Sequence, residues 1–281
     1  MENSEFVWLN DELVPLAQAR VSVEDRGFLY GDGFFETLRA EAGQPHFLME
    51  HLKRLRASAN AFRLPFPADI PWEERLGRLL AANGLDQGLA AVKILLSRGV
   101  AVGLGLPEGF SPTLVIWARR YETPSPAEYG SGWPVVTFPE RRTTFVGRHK
   151  SLNYLFYLAA RQYALDRGAR EAIILEADVL VSEGAAFSLI YTRAGRYYTP
   201  KAASALPGVT IQALGRALAR RGLALEAVPT TRAQLKEADG IWLANSLMGL
   251  MPVSSWDGQP VPLASQTTQY LQECLASEAS L

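Results

Sequence analysis

Lys150 stands directly before the apolar run 152–165, beside Arg148 and His149 and with no acid in the immediate stretch. An ammonium ion at the mouth of an apolar pocket loses its proton easily, because burial disfavours the charged form. The neutral amine that results attacks carbonyls and forms Schiff bases. Taken alone, the pattern also describes a solvated lysine at a helix start. Glu183 sits among small and apolar residues, where a part-buried carboxylate needs an arginine or a protonated ligand nitrogen; a turn carboxylate in solvent is the alternative. Leu206-Pro207-Gly208-Val209-Thr210 precedes a helix expected over 211–220. The unpaired N–H groups at such a helix start suit a phosphate, with the Thr210 hydroxyl as a further donor, although an ordinary threonine fits there too. Asn245 and Ser246 follow an apolar strand and read as a ligand-facing loop. Arg54 lies beside the apolar face of a helix, either solvated or aimed into a site.

The elements that must hold these residues follow from periodicity and turn chemistry. Residues 6–9 and 12–14, joined by Asn10-Asp11, read as an opening hairpin. Gly27, Gly31 and Gly33 lie among aromatics ahead of a strand, which predicts a bent backbone packed closely on a neighbour; Tyr30-Gly31-Asp32-Gly33 lacks the ending of a phosphate loop. Helices are predicted over 49–62 and 72–83, and buried strands over 91–97 and 113–118, with the glycine-rich loop 98–107 between the strands. The proline-rich stretch 121–128 is the best linker. It divides the chain into a smaller N-terminal α/β domain (1–120) and a larger C-terminal domain (129–281). In the latter a strand over 133–138 leads to Lys150 and a helix over 152–165.

Composition narrows the class. With 28 basic and 29 acidic residues among 281, and no basic block, nucleic acid and anionic membranes are poor partners. The single cysteine, Cys274, and three histidines exclude a disulfide framework and argue against a metal centre. The acidic start Met1–Glu5 lacks a signal-peptide pattern, and no apolar run approaches the roughly 20 residues of a membrane span, so a cytoplasmic protein is expected.

Five stretches, in order, resemble the motifs of the class IV aminotransferases, the fold type IV pyridoxal-phosphate enzymes: Tyr30–Glu36, Glu50–Leu55, Lys150–Tyr154, Ser182–Gly184 and Leu206–Thr210. The resemblance covers nearly the whole chain. It implies a two-domain α+β fold whose larger domain is β-barrel-like with helices, a homodimer with its active sites at the interface, and pyridoxal 5'-phosphate as cofactor. By the same resemblance Lys150 holds the cofactor and shuttles protons. Arg54, Val209, Thr210 and Ser246 grip its phosphate, Glu183 faces the pyridine nitrogen, and Tyr154 bonds the ring hydroxyl.

The family runs several reactions on one site, and fold does not choose among them. Asp25–Thr37 and Ala244–Val253 resemble the versions found in aminodeoxychorismate lyases, which release pyruvate and p-aminobenzoate for folate biosynthesis. In that reading Thr37 relays a proton, and Tyr30, Arg98 and Leu247 contact the small-molecule amine substrate. The loop after Arg98 lacks the arginine and histidine of D-amino acid transaminases. It also has Gly103 where some lyases carry a second arginine for the substrate's second carboxylate, and Ser188 stands where the family often has asparagine. A class IV aminotransferase acting on branched-chain or D-amino acids is the alternative, and a non-catalytic pyridoxal-phosphate carrier is the alternative from another class.

Overall fold

The computed structural model describes residues 5–107, 109 and 111–279, so Met1–Ser4 of the acidic start lie outside the described residues. The chain forms two compact units, one of Met1–Glu122 with His149–Asn153, the other of Thr123–Arg148 with Tyr154–Leu281.

The first unit contains β1 (Phe6–Leu9), β2 (Glu12–Pro15), α1 (Arg26–Tyr30), β3 (Gly33–Glu41), β4 (Gln44–Pro45), α2 (Leu48–Ala61), α3 (Trp72–Ala82), β5 (Leu89–Ser97) and β6 (Thr113–Arg120). Its antiparallel sheet has the order β2-β1-β6-β5-β3-β4. The strands alternate: Ala90, Val92, Ile94 and Leu96 of β5 are fully buried, while Ala91, Lys93 and Leu95 stay part-exposed on the other face. The buried side packs with Phe34 and Leu38 of β3, Leu52 and Leu55 of α2, and Leu76, Leu79 and Leu80 of α3. Each such leucine contributes about 1.5–3 kcal/mol by leaving water.

The second unit contains α4 (Pro126–Ser131), β7 (Trp133–Thr137), α5 (Leu155–Leu165), β8 (Glu171–Leu175), β9 (Val181–Gly184), β10 (Ser188–Arg193), β11 (Arg196–Pro200), α6 (Val209–Ala219), β12 (Leu225–Val228), α7 (Arg232–Leu235), β13 (Gly240–Asn245), β14 (Gly249–Trp256), β15 (Gln259–Pro260) and α8 (Ser265–Ala279). Its mixed sheet runs β12-β11-β10-β13-β14-β7-β8-β9, with β15 paired to β14. Helix α5 covers β8 through Ala160 and Ala164, and α6 and α8 pack on Ile190 and Trp242. Glu278 of α8 accepts hydrogen bonds from Arg216 of α6 and from Arg220 at its C-cap, so one carboxylate ties the two helices together. The fold is the expected α+β type.

Three boundaries differ from the sequence reading. The linker stretch 121–128 ends in helix: Ser125 caps α4 in a reciprocal capping box with Glu128, and Pro126 opens the helix, where its missing N–H costs nothing. Helix α5 starts at Leu155 rather than at Leu152, because the Leu152 N–H donates to the Gly33 carbonyl instead (2.9 Å). That pairing also explains why His149–Asn153 belongs to the first unit, although the sequence reading assigned it to the C-terminal domain. Helix α6 starts at Val209, two residues earlier than expected, which puts Val209 and Thr210 in its first turn.

Candidate functional site

Lys150 reaches the first unit as a short antiparallel addition to β3. The Phe35 N–H donates to the Lys150 carbonyl at 2.8 Å, and Ser151 bridges Phe34. Gly33 makes this approach possible, since a Cβ there would lie 2.6 Å from the Leu96 carbonyl oxygen and 2.8 Å from Leu152 Cδ1. His149 fixes the other side, with Nδ1 3.0 Å from Ser58 Oγ of α2 and its ring edge-on to Phe62 at 5.1 Å. Residues opposite each other in a ladder share a face. Lys150 Nζ accordingly lies 4.6 Å from the centre of the Phe35 ring. Lys93, diagonal to Phe35 across β3 and β5, places its own Nζ 4.4 Å from that ring and 5.9 Å from Trp117. Arg119 lies over Trp117 at 4.5 Å. Cations and aromatics thus alternate across one sheet face: Lys150, Phe35, Lys93, Trp117, Arg119. Thr37 pairs with Lys93 on this face. Burial depresses the Lys93 pKa, so its ammonium group gains from an anionic neighbour.

Glu36 points to the opposite, helix-covered face. Arg54 of α2 donates from Nε to Oε1 (2.8 Å) and from Nη2 to Oε2 (2.6 Å), and His51 Nδ1 lies 2.7 Å from Oε2. Burial pushes the Glu36 carboxyl up, but the Arg54 charge and the hydrogen bonds from Arg54 and His51 outweigh it and bring the pKa down to about 2. Arg54, expected as a phosphate ligand, is therefore oriented by a buried carboxylate.

Arg98, expected to contact substrate, is only 3% exposed. It donates to both Asp32 oxygens and to the carbonyls of Phe62 and Arg63, which hold the side chain in place. Arg26 shares Asp32 and donates to the carbonyls of Gly103 and Gly105, holding the glycine-rich loop. Burial pushes Asp32 up, and these two arginines more than reverse it. Tyr30 ends α1 exposed, with the Arg26 guanidinium over its ring.

The second unit carries the remaining residues. Glu183, on β9, is 7% exposed. Its Oε1 accepts from the Tyr157 hydroxyl (2.8 Å) and its Oε2 from the Leu206 N–H (3.1 Å). The Tyr154 hydroxyl donates to the Ala185 carbonyl at 3.1 Å. At α6, Gly208 is the N-cap and no side chain caps the first turn. A Cβ on Gly208 would lie 2.6 Å from Ser188 Oγ, so the bare backbone forms a tight cradle there. Ser188 pairs with Ala244 of β13, which puts Asn245 and Ser246 just beyond it. Asn245 Oδ1 accepts from the N–H groups of Leu247 and Met248, shaping that loop.

The amino-transferase class IV family model matches residues 33–256. The chain belongs to the class IV amino-transferase family. Like the rest of that family it is an enzyme that uses pyridoxal 5'-phosphate. A D-alanine aminotransferase of Listeria monocytogenes is 29% identical over 278 residues, 95% of each chain. The branched-chain amino acid aminotransferase of Escherichia coli superposes with a TM-score of 0.85 at 26% identity, covering 96% of this chain and 93% of that one. A Legionella pneumophila protein provisionally named a 4-amino-4-deoxychorismate lyase superposes at 0.84 with 24% identity, covering 94% and 97%, a similarity of fold.

The donor types fit this cofactor. A phosphorylated pyridine aldehyde needs an amine, a carboxylate for its ring nitrogen and donors for its phosphate. Lys150, Glu183 and the uncapped α6 cradle supply those types. Sequence reasoning overlooked Lys93 and Tyr157, and assigned no role to Glu36 or His51. A lone lysine inside the apolar run 91–97, and a second tyrosine three residues after Tyr154, were the available signals. Among the described residues no helix is long and apolar enough to cross a membrane, and no group of three or more potential metal ligands occurs.

Proposed function

We propose that this class IV enzyme is a lyase that splits 4-amino-4-deoxychorismate into pyruvate and p-aminobenzoate. The supporting observation is the second ammonium group, Lys93, on the sheet face that carries Lys150. The substrate bears two carboxylates besides its amine, and a half-buried lysine flanked by Phe35 and Trp117 is a receptor for one of them. This assigns to Lys93 the role that Gly103 leaves vacant. The lyase-like stretches Asp25–Thr37 and Ala244–Val253 support the same reading.

When bound, pyridoxal 5'-phosphate supplies a carbonyl for amines and a ring that takes up electrons. Lys150 would hold it and would take the proton from the substrate carbon beside the amine nitrogen. Thr37, on the same face, relays that proton. Glu183 would keep the ring nitrogen protonated, Tyr154 would orient the ring hydroxyl, and Val209, Thr210, Ser246 and Arg54 would hold the phosphate. Tyr30 and Leu247 border the substrate. The exposed apolar residues Phe28 and Leu29 of α1 and Val102 and Leu104 of the glycine-rich loop support a homodimer.

Transamination of D- or branched-chain amino acids is the second reading, favoured by the names of the similar aminotransferases. One cuvette separates the two. Release of p-aminobenzoate and pyruvate from aminodeoxychorismate, with the visible cofactor band retained, is the expected result. Bleaching of the band by an amino acid and its return with a keto acid, without p-aminobenzoate release, makes the protein a transaminase.

Lys93→Met tests the carboxylate receptor. Loss of one charge-assisted hydrogen bond raises KM for aminodeoxychorismate by about 10- to 100-fold. The melting temperature should hold or rise, because a desolvated cation is removed. An unchanged KM refutes the assignment.

A further inference from the structure

We propose that Tyr157 is a positioning residue that sets how strongly Glu183 acts on the bound cofactor. This rests on the reading that Glu183 faces the ring nitrogen. Each Glu183 oxygen has its own donor, the Tyr157 hydroxyl on Oε1 and the Leu206 N–H on Oε2. A carboxylate held at both ends cannot rotate away, and each oxygen keeps acceptor capacity for a further proton. Hydrogen bonds to the ionised form also disperse its charge and weaken its pull on any cation it faces. The strength of the Tyr157 bond is thus a setting on Glu183.

The surroundings of Tyr157 suit this task. Its ring lies 4.9 Å from that of Tyr154 at an interplanar angle of 31°, and edge-on to Phe156 at 5.8 Å. The Arg142 guanidinium lies over it at 5.2 Å. Tyr154 and Tyr157 are three apart at the start of α5, so both hydroxyls emerge on one side. One donates to Ala185 and the other to Glu183, two residues away on the same segment. Burial, and next the Glu183 charge, push the phenol far above its ordinary pKa. Tyr157 therefore remains a neutral donor across the working pH range, and its bond to Glu183 does not switch off.

The holoenzyme provides the test, through the pH midpoint of the ring-nitrogen NMR signal of its bound, ¹⁵N-labelled cofactor in wild type, Y157F, E183Q and the double variant. Removing the hydroxyl concentrates the Glu183 charge, stabilises the cationic form of the cofactor, and moves the midpoint up by about one pH unit. E183Q removes the charge and moves it down. In the E183Q background, Y157F adds nothing. A Y157F shift of equal size in both backgrounds, or no shift in either, overturns the proposal, because the residue then acts on packing or not at all. An E183Q midpoint identical to wild type overturns instead the assignment of Glu183 to the ring nitrogen. Should Y157F fail to fold, 3-fluorotyrosine at position 157 keeps the ring and strengthens the donor; the midpoint then moves down, and a midpoint unchanged or moved up refutes the proposal.

Discussion

Lys150→Ala is expected to abolish covalent attachment of the cofactor and to reduce turnover by at least about 10³-fold, the upper part of the range for a positioned proton-transfer group that here also anchors the cofactor. Fold and melting temperature should change little. The backbone of residue 150, not its side chain, makes the ladder bond to Phe35, and Ser151, Leu152 and His149 keep their contacts. The measurement is mass spectrometry after borohydride reduction, which adds the cofactor mass to wild type only, together with single-turnover rates. A small primary amine in the buffer should restore part of the rate, because it supplies the missing base without the tether. Wild-type turnover in the variant would sink the assignment of Lys150.

Glu36→Gln is the second large effect, and it acts on stability. Glu36 is 1% exposed, so the substitution takes the carboxylate charge from a buried pair with Arg54, and breaking such pairs costs about 3–5 kcal/mol. For a chain of this length that lowers the melting temperature by on the order of 10 °C. The pH dependence gives an independent check. The folded carboxyl titrates at about 2 against an ordinary 4.5. A depressed carboxylate contributes stability that is fully present above 4.5 and lost as pH falls toward 2. The gap in stability between wild type and variant should therefore be widest at neutral pH and should close between pH 4.5 and 2. A gap that stays constant over that window would show that shape, not charge, makes Glu36 matter.

Much of the first unit could be read from the sequence because its determinants are local. The Asn10-Asp11 turn, the period of two in β5 and the leucine spacing in α2 each announce an element without help from distant residues. The tight packing around Gly27 and Gly33 was also visible as glycine among aromatics, although its partner, Leu152, was not. What escaped was set by distant residues. Leu152 has an apolar, helical neighbourhood, yet a strand more than a hundred residues earlier takes its N–H. Arg98 looked available because sequence shows no Asp32 beside it; the ion pair forms only once β5 lies against β3. Lys93 gave one faint signal, a charge within an apolar strand, and its significance depends on a ring contributed by β3. Ser125 and Glu128 form the opposite case. The capping box was local and legible, but the prolines beside it suggested a linker.

The pairing of residues 150–152 with β3 also limits how this region tolerates change. Side chains on a strand alternate, so a shift of one residue turns each to the opposite face. One codon gained or lost between Phe145 and Lys150 would direct the reactive amine away from Phe35 and Lys93, toward the face where Glu36 lies. Substitutions there are graded, whereas insertions and deletions are all-or-none. In a collection of random variants of this protein, active survivors should carry replaced residues at Phe145, Val146 and Arg148 and hardly ever a changed length.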